Sequence, residues 1–229
     1  MANPFAENIR SAMHLLADLK ILNQAGPQYS LAPSDSFKKA SLRAVRYREV
    51  YDAAIKNQDF NIMLHDHAFF QFSEIKAGLS IRLAYYPNPY QFIEYKNLKV
   101  EALEMLASEA ISQDEYDQLL TEAYFTCDIP LIRYDLDLDN HCDMYHPAAH
   151  FHIGFHAENR WPARRALSPL AFTLKVLKHY YNDVWREKGE PSGEGENRLD
   201  ERYREAVRHC NFLPEHYFRP HEAERLFIC

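Results

Sequence analysis

The hydrophobic period of this chain changes abruptly near Phe60, and that change limits the fold more than any other feature. Before it, Phe5, Ile9, Met13, Leu16 and Leu19 recur at helical spacing, and Leu42, Val45, Tyr51 and Ile55 repeat the pattern within Phe37–Asn57. Such spacing puts the apolar side chains on one stripe of a helix, so two amphipathic helices are expected. Gly26–Ser36, with its Gly, two Pro, Ser and Asp, reads as the loop between them. From Phe60 onward the pattern alternates: Phe60, Ile62, Leu64; then Phe70, Phe72; then Leu79, Ile81, Leu83, Tyr85. Alternation sends successive side chains to opposite faces and predicts a meander of strands. Lys76-Ala-Gly78 supplies a hairpin turn, and Pro87-Asn-Pro89 ends the third strand.

Helical spacing returns at Leu98, Leu103, Leu106 and Ile111, and Ser112-Gln-Asp-Glu115 has the form of a capping box opening a helix from Gln113 to about Ala123. Strand character resumes at Ile129–Leu138 and His150–Phe155. Ser168-Pro169 then opens a long helix running to about Trp185. The expected class is therefore α+β, with a mixed, mainly antiparallel sheet covered by helices on one face. A single domain is expected over 1–186: N-terminal helices at 1–57, the strand meander at 58–87, helices at 98–124, a His/Asp strand pair at 129–156 and a helix at 169–185. Residues 187–196 hold three of the six glycines and predict a flexible loop, followed by a C-terminal helical tail at 197–229.

Composition bounds the function classes. Hydrophobic residues at 47% and aromatics at 14% are enough to build a core, which excludes disorder. The N-terminus lacks the basic start and apolar run of a signal peptide, and no stretch of about 18 apolar residues occurs, so the expectation is a cytoplasmic protein with no membrane partner. Cys127, Cys142, Cys210 and Cys229 form no C-x-x-C pair and are expected to be free thiols. A net charge of −7 means that nucleic-acid binding would need a local basic patch. Arg160, Arg164 and Arg165, with Arg202, Arg204 and Arg208, are the candidates, against the plainer reading of solvated charge.

The chemistry-bearing residues concentrate between Arg133 and His156, where five of the 12 histidines fall between His141 and His156. As a strand, Ile132–Leu138 puts Arg133, Asp135 and Asp137 on one face. In His150–Phe155 the same alternation aligns His150, His152 and Gly154 opposite Phe151, Ile153 and Phe155. If the two strands pair, Asp135 or Asp137 lies opposite His150 or His152 at about 5 Å between Cβ atoms. The connecting loop adds Asp139, His141, Asp143 and His146, the last restricted to extended geometry by Pro147.

Three readings of this cluster stay open. His150, His152 and Asp137 could hold a divalent metal such as zinc, manganese, magnesium or iron. Without a metal, a histidine could act as general base or acid, oriented by an aspartate, while Arg133 stabilises developing negative charge. Or the group is a buried polar network that fixes strand register. His65-Asp-His67 either lends ligands to the same face or is a strand end and turn. Gln71 and Arg82 either complete a polar pocket or face solvent. The chain has no Gly-rich phosphate loop, G-x-S-x-G elbow or H-E-x-x-H.

Arg133-Tyr-Asp, His146-Pro-Ala-Ala-His-Phe-His152, Pro162, and Ser168-Pro-Leu-Ala-Phe172 leading to Tyr180-Tyr181 together form an ordered pattern over about the C-terminal half. It resembles a bacterial domain-of-unknown-function family with an Arg/Asp strand followed by H-P-x-x-H-x-H. The resemblance implies membership of a defence or toxin module, and hence nucleic-acid chemistry; it supplies no established catalytic residue. The resulting expectation is a nuclease or phosphoesterase acting on RNA or DNA through Arg133, Asp135, Asp137, His146, His150 and His152. The competing expectation is a non-catalytic subunit of an ATPase- or nuclease-containing complex, docking a protein encoded nearby through Tyr85, Tyr86, Tyr90, Phe92 and Tyr95.

Overall fold

The computed structural model describes residues 3–126, 131–143, 145–155, 158–189, 191–192 and 196–226, with backbone only at 91–96, 122–126, 191–192, 196 and 225–226. Cys127, Ile129, His156 and Cys229 lie outside the described residues, as do the side chains of Phe92 and Tyr95. Cys142 and Cys210 are free thiols. No helix among the described residues is long and apolar enough to cross a membrane.

The elements run α1 (Pro4–Asp18), β1 (Leu22–Ala25), α2 (Asp35–Arg43), α3 (Tyr47–Asn57), β2 (Ile62–Leu64), β3 (Phe69–Lys76), β4 (Ser80–Tyr86), α4 (Phe92–Ala107), α5 (Gln113–Thr126), β5 (Ile132–Asp137), β6 (Ala149–Ile153) and β7 (Trp161–Pro162). They continue with α6 (Pro169–Tyr180), α7 (Asn182–Gly189), β8 (Pro191–Ser192), β9 (Glu196–Asn197), α8 (Arg198–Arg208) and α9 (Pro220–Leu226). The protein is α+β. β1 to β7 form one sheet in chain order, every pairing antiparallel, so each strand lies beside its neighbour in sequence and the helices are insertions between neighbours. Local signals set the helix starts. Asn3 caps α1 by accepting from Phe5 N at 2.9 Å. Ser112 and Glu115 form the expected capping box, with Ser112 N donating to Glu115 at 2.8 Å and Glu115 N to Ser112 Oγ at 3.3 Å.

Alternation sorts the strands into two faces. Ile62, Leu64, Phe70, Phe72, Leu83, Tyr85, Tyr134 and Leu136 point to the first face, where they pack with Ile9, Met13 and Leu16 of α1 and Phe172, Val176 and Leu177 of α6. Leu199, Ala206, Cys210, Leu213 and Phe218 belong to this same core, so the segment expected as a tail is integral to it. The reason is the apolar side of α8, whose Leu199 and Ala206 bury against this core. On the second face, Met63, Phe69, Ala84 and Tyr86 pack under Phe37 of α2 and Val50, Tyr51 and Ala54 of α3. α2 and α3 cover only that end, and the polar residues of β4, β5 and β6 follow beyond them.

Several expected elements differ in detail. The helix expected over 37–57 is broken at Ala44, which is extended (φ −64°, ψ 135°). One straight helix would have buried Leu42 and Val45; both are instead 83% exposed, and the break lets Phe37 and Val50 reach the sheet separately. The helix expected over 169–185 breaks at Tyr181, and 187–196 holds the end of α7, β8 and the first residue of β9, which pairs with β8. Tyr85 and Tyr86 are 1% and 5% exposed, so little of either ring reaches the outer surface on which a protein partner would dock. His65-Asp-His67 is a turn, with both histidines exposed.

Candidate functional site

The register of the sheet decides what meets on the second face. Ser73 pairs with Arg82, Arg82 with Asp135 and Asp135 with His150; the next row joins Gln71, Ala84, Arg133 and His152. Residues directly opposite on one face sit close enough for side-chain contact. Two parallel rows across four strands therefore bring two arginines, one aspartate and two histidines together.

Asp135 is the hub. Its Oδ1 accepts from Arg82 Nε and its Oδ2 from Arg133 Nε, each at 2.9 Å. Burial is the largest single influence on its carboxyl and works to raise the pKa, but the two guanidinium groups outweigh it, and the net position is below the usual carboxylate range. The carboxylate stays ionised and holds both guanidinium groups at the cleft wall. His152 Nε2 stands 3.7 Å from Asp135 Oδ2.

The histidines form a short chain. His150 Nδ1 is 2.8 Å from the Pro147 carbonyl, which fixes that nitrogen as the proton donor and leaves Nε2 with its lone pair. His150 Nε2 in turn lies 3.0 Å from His152 Nε2. Burial lowers the His150 pKa; the Pro147 carbonyl and Asp135 oppose it, His146 and Arg160 add to it, and the net shift is downward. The two Nε2 atoms face each other across this hydrogen bond. They can share one proton, serve one reacting oxygen, or hold one ion.

Asp135, His150 and His152 offer ligand atoms within 4.8 Å of one another. The expected metal set named Asp137; among the described residues it is Asp135 that lies with the two histidines. Asp137 pairs with Ser80 at the end of β5 and spends its carboxylate on Asn140, at 3.1 Å to the backbone N and 2.8 Å to Nδ2. A cis pair of nitrogens 3.0 Å apart, at metal–nitrogen bonds of about 2.0–2.1 Å, subtends roughly 90–97°, nearer an octahedral than a tetrahedral angle. Against a cation stands the double guanidinium clamp on the only carboxylate of the trio.

The cleft over these rows is lined by Arg82, Arg133, Asp135, Asp137, His146, His150, His152 and Arg160. Three arginines face two aspartates, so its sign is positive although the chain carries −7. His146 stacks edge-on with His150 at 4.9 Å between ring centroids, and its Nδ1 is buried with no hydrogen-bond partner among the described residues. The rest of the loop points elsewhere: Asp139 pairs with Lys76 at 3.0 Å and Asp143 with Arg219 at 2.6 Å.

The family profile described as "Uncharacterized conserved protein (DUF2290)" matches residues 19–226, which takes in every residue of the cleft. The chain belongs to the DUF2290 family. No match was found among the curated proteins or among the solved structures. In this DUF2290 chain the structure brings together Arg133, Asp135, His146, His150 and His152, with Asp137 at the margin. Arg82, expected either to complete a polar pocket or to face solvent, lines the cleft. The alternation of Leu79, Ile81 and Leu83 already sends it to the opposite face, but only the register of β4 on β5 shows that it meets Asp135.

Proposed function

We propose that this chain is a phosphoesterase acting on nucleic acid. The observation that carries the reading is the convergence of His150 and His152 Nε2, 3.0 Å apart, beside a carboxylate that fixes two guanidinium groups at the wall of a positive cleft. Arg82 and Arg133 would hold the non-bridging oxygens of a phosphate, for which guanidinium geometry is suited. His150, with its Nδ1 proton on the Pro147 carbonyl, would take a proton from water as the new P–O bond forms and the ester P–O bond breaks. His152 Nε2, hydrogen-bonded to His150 Nε2, would position that imidazole, and the departing alkoxide would take its proton from solvent. A defence or toxin module, the setting implied by the resemblance, is a natural place for such an enzyme.

The same convergence favours a second reading, in which His150, His152 and Asp135 hold a divalent cation that supplies the hydroxide. Chelation separates the two: activity that survives chelator and dialysis belongs to the acid–base reading, and activity restored only by added metal belongs to the second.

The test is cleavage of labelled RNA and DNA by the purified chain. His150→Ala and His152→Ala should each lower the rate at least tenfold with the circular dichroism spectrum unchanged. Wild-type rates in both variants would refute the assignment. No turnover by the isolated chain, with a stable complex formed by products of neighbouring genes, would support the accessory-subunit reading instead.

A further inference from the structure

A second cavity, of about 430 Å³, opens off the cleft and shares Arg82, Arg133 and His152 with it as a common wall. Its size falls in the ~300–1,000 Å³ range of small-molecule sites. Away from the shared wall its lining turns apolar and aromatic, with Phe37, Val50, Tyr86 and Phe155. The rings are braced from behind: Tyr86 stacks on Phe69 at 4.7 Å between centroids, and Phe155 meets Tyr47 edge-on at 5.8 Å. Gly154, at φ 101°, lets the chain turn at the end of β6 and send Phe155 to this face rather than to the main core, where alternation alone would have put it. Gln71, 1% exposed, also lines the cavity; its Nε2 donates to the Asp59 carbonyl at 2.7 Å, which leaves the amide oxygen to accept from a ligand.

Aromatic lining residues, one hydrogen-bond acceptor and a guanidinium pair at the mouth match one ligand class. We propose that this cavity receives the base of a nucleotide whose phosphate rests on Arg82 and Arg133, so that the enzyme acts on an unstacked nucleotide unit. Aromatic walls take a base by stacking whatever its identity, and the Gln71 oxygen favours a base with an exocyclic amine. An acyl chain would fill the apolar part but make no use of Gln71. The inference rests on the phosphate-binding reading of the cleft and adds the base to it.

The experiment is calorimetric titration of the full chain, in chelator, with adenosine 5′-monophosphate, ribose 5-phosphate and inorganic phosphate. Adenosine 5′-monophosphate should bind at least tenfold more tightly than ribose 5-phosphate. Ser41→Trp, at an exposed position on the cavity rim, should abolish that advantage and leave the ribose 5-phosphate affinity unchanged. Arg133→Ala should weaken all three. Equal affinity for nucleotide and sugar phosphate, or an advantage that survives Ser41→Trp, overturns the base pocket while the phosphate reading stands. If none of the three binds, both readings fall.

Discussion

Asp135 balances two guanidinium groups with a single carboxylate, and its removal has consequences beyond the loss of two hydrogen bonds. In an Asp135→Asn variant the guanidinium groups of Arg82 and Arg133 would face each other without a counter-charge. Removing one partner of a buried pair costs about 3–5 kcal/mol, but these arginine side chains are 47% and 32% exposed and partly screened, so a loss of about 1–3 kcal/mol is expected. Because the folded Asp135 pKa is depressed, this stabilisation is present above the unfolded carboxylate value near ~3.9 and disappears only as pH falls through the lower folded value. The deficit of Asp135→Asn in chemical denaturation should therefore be as large at pH 5 as at pH 7. His150 gives a pH dependence at higher pH. Its folded pKa is also depressed, so between the unfolded imidazole value near ~6.5 and that lower value the unfolded chain takes up a proton that the folded chain refuses. Folding stability falls as pH drops through this window. In chelator-treated protein, the denaturation midpoint of His150→Gln should fall less than the wild type's between pH 7.5 and 5.5. An equal fall would show that burial does not hold His150 neutral.

Tyr181 links three elements and explains a helix break that periodicity could not show. The residue leaves the helical region (φ −124°, ψ 53°) between α6 and α7. Its hydroxyl donates to Asp66 at 2.7 Å and lies 2.9 Å from the Tyr85 hydroxyl on β4. Burial, then Tyr85 and Asp66, raise its pKa strongly, so it remains a donor. Hydrogen bonds to charged groups contribute about 1.5–3 kcal/mol, and Tyr181→Phe should lower stability by about 2 kcal/mol in urea denaturation. A change below a few tenths of a kcal/mol would mean that α6 and α7 are set by packing alone. This network also gives His65-Asp-His67 its role as a structural turn. Elements carried by a long repeat were legible in the sequence: α1, α5, α8 and the alternation of β3 to β6 all follow from spacing or capping. Those decided by contacts were not. β1 has four residues with only the first partly buried, and β7 has two, which is too short for any period to register. Likewise the alternation of β5 and β6 put Arg133, Asp135, His150 and His152 on one face, but the inclusion of Arg82 and the exclusion of Asp137 depended on which strand lies beside β5 and on the loop residue Asn140.

At the scale of the molecule, the seven antiparallel strands and the helices on the first face make a packed floor, and the second face carries the rows of Arg, Asp and His where α2 and α3 stop. The charge distribution follows the same division. The chain as a whole carries −7, so its long-range field repels a polyanion, and the cleft supplies local attraction through Arg82, Arg133 and Arg160. Arg165, counted with a basic patch in the sequence, is withdrawn from it: its Nη1 donates to the Val207 and Cys210 carbonyls at 3.0 and 2.7 Å, and its guanidinium lies 3.6 Å over the Phe212 ring. A nucleic acid seated in the cleft would thus meet three arginines. Each phosphate contact to a single strand contributes about −0.7 to the slope of log affinity against log salt, so three arginines set an expected slope of roughly −2. Anisotropy titrations of a labelled single-stranded oligonucleotide between about 50 and 200 mM salt would measure it, a range over which proteins with 6–10 contacts lose about 10³–10⁵ in affinity. A shallow slope that flattens further in Arg133→Ala fits a site that grips one or two phosphates and draws the rest of its affinity from a base. A slope steeper than about −5 would require a basic surface outside the cleft and would remove the main reason for placing the substrate there.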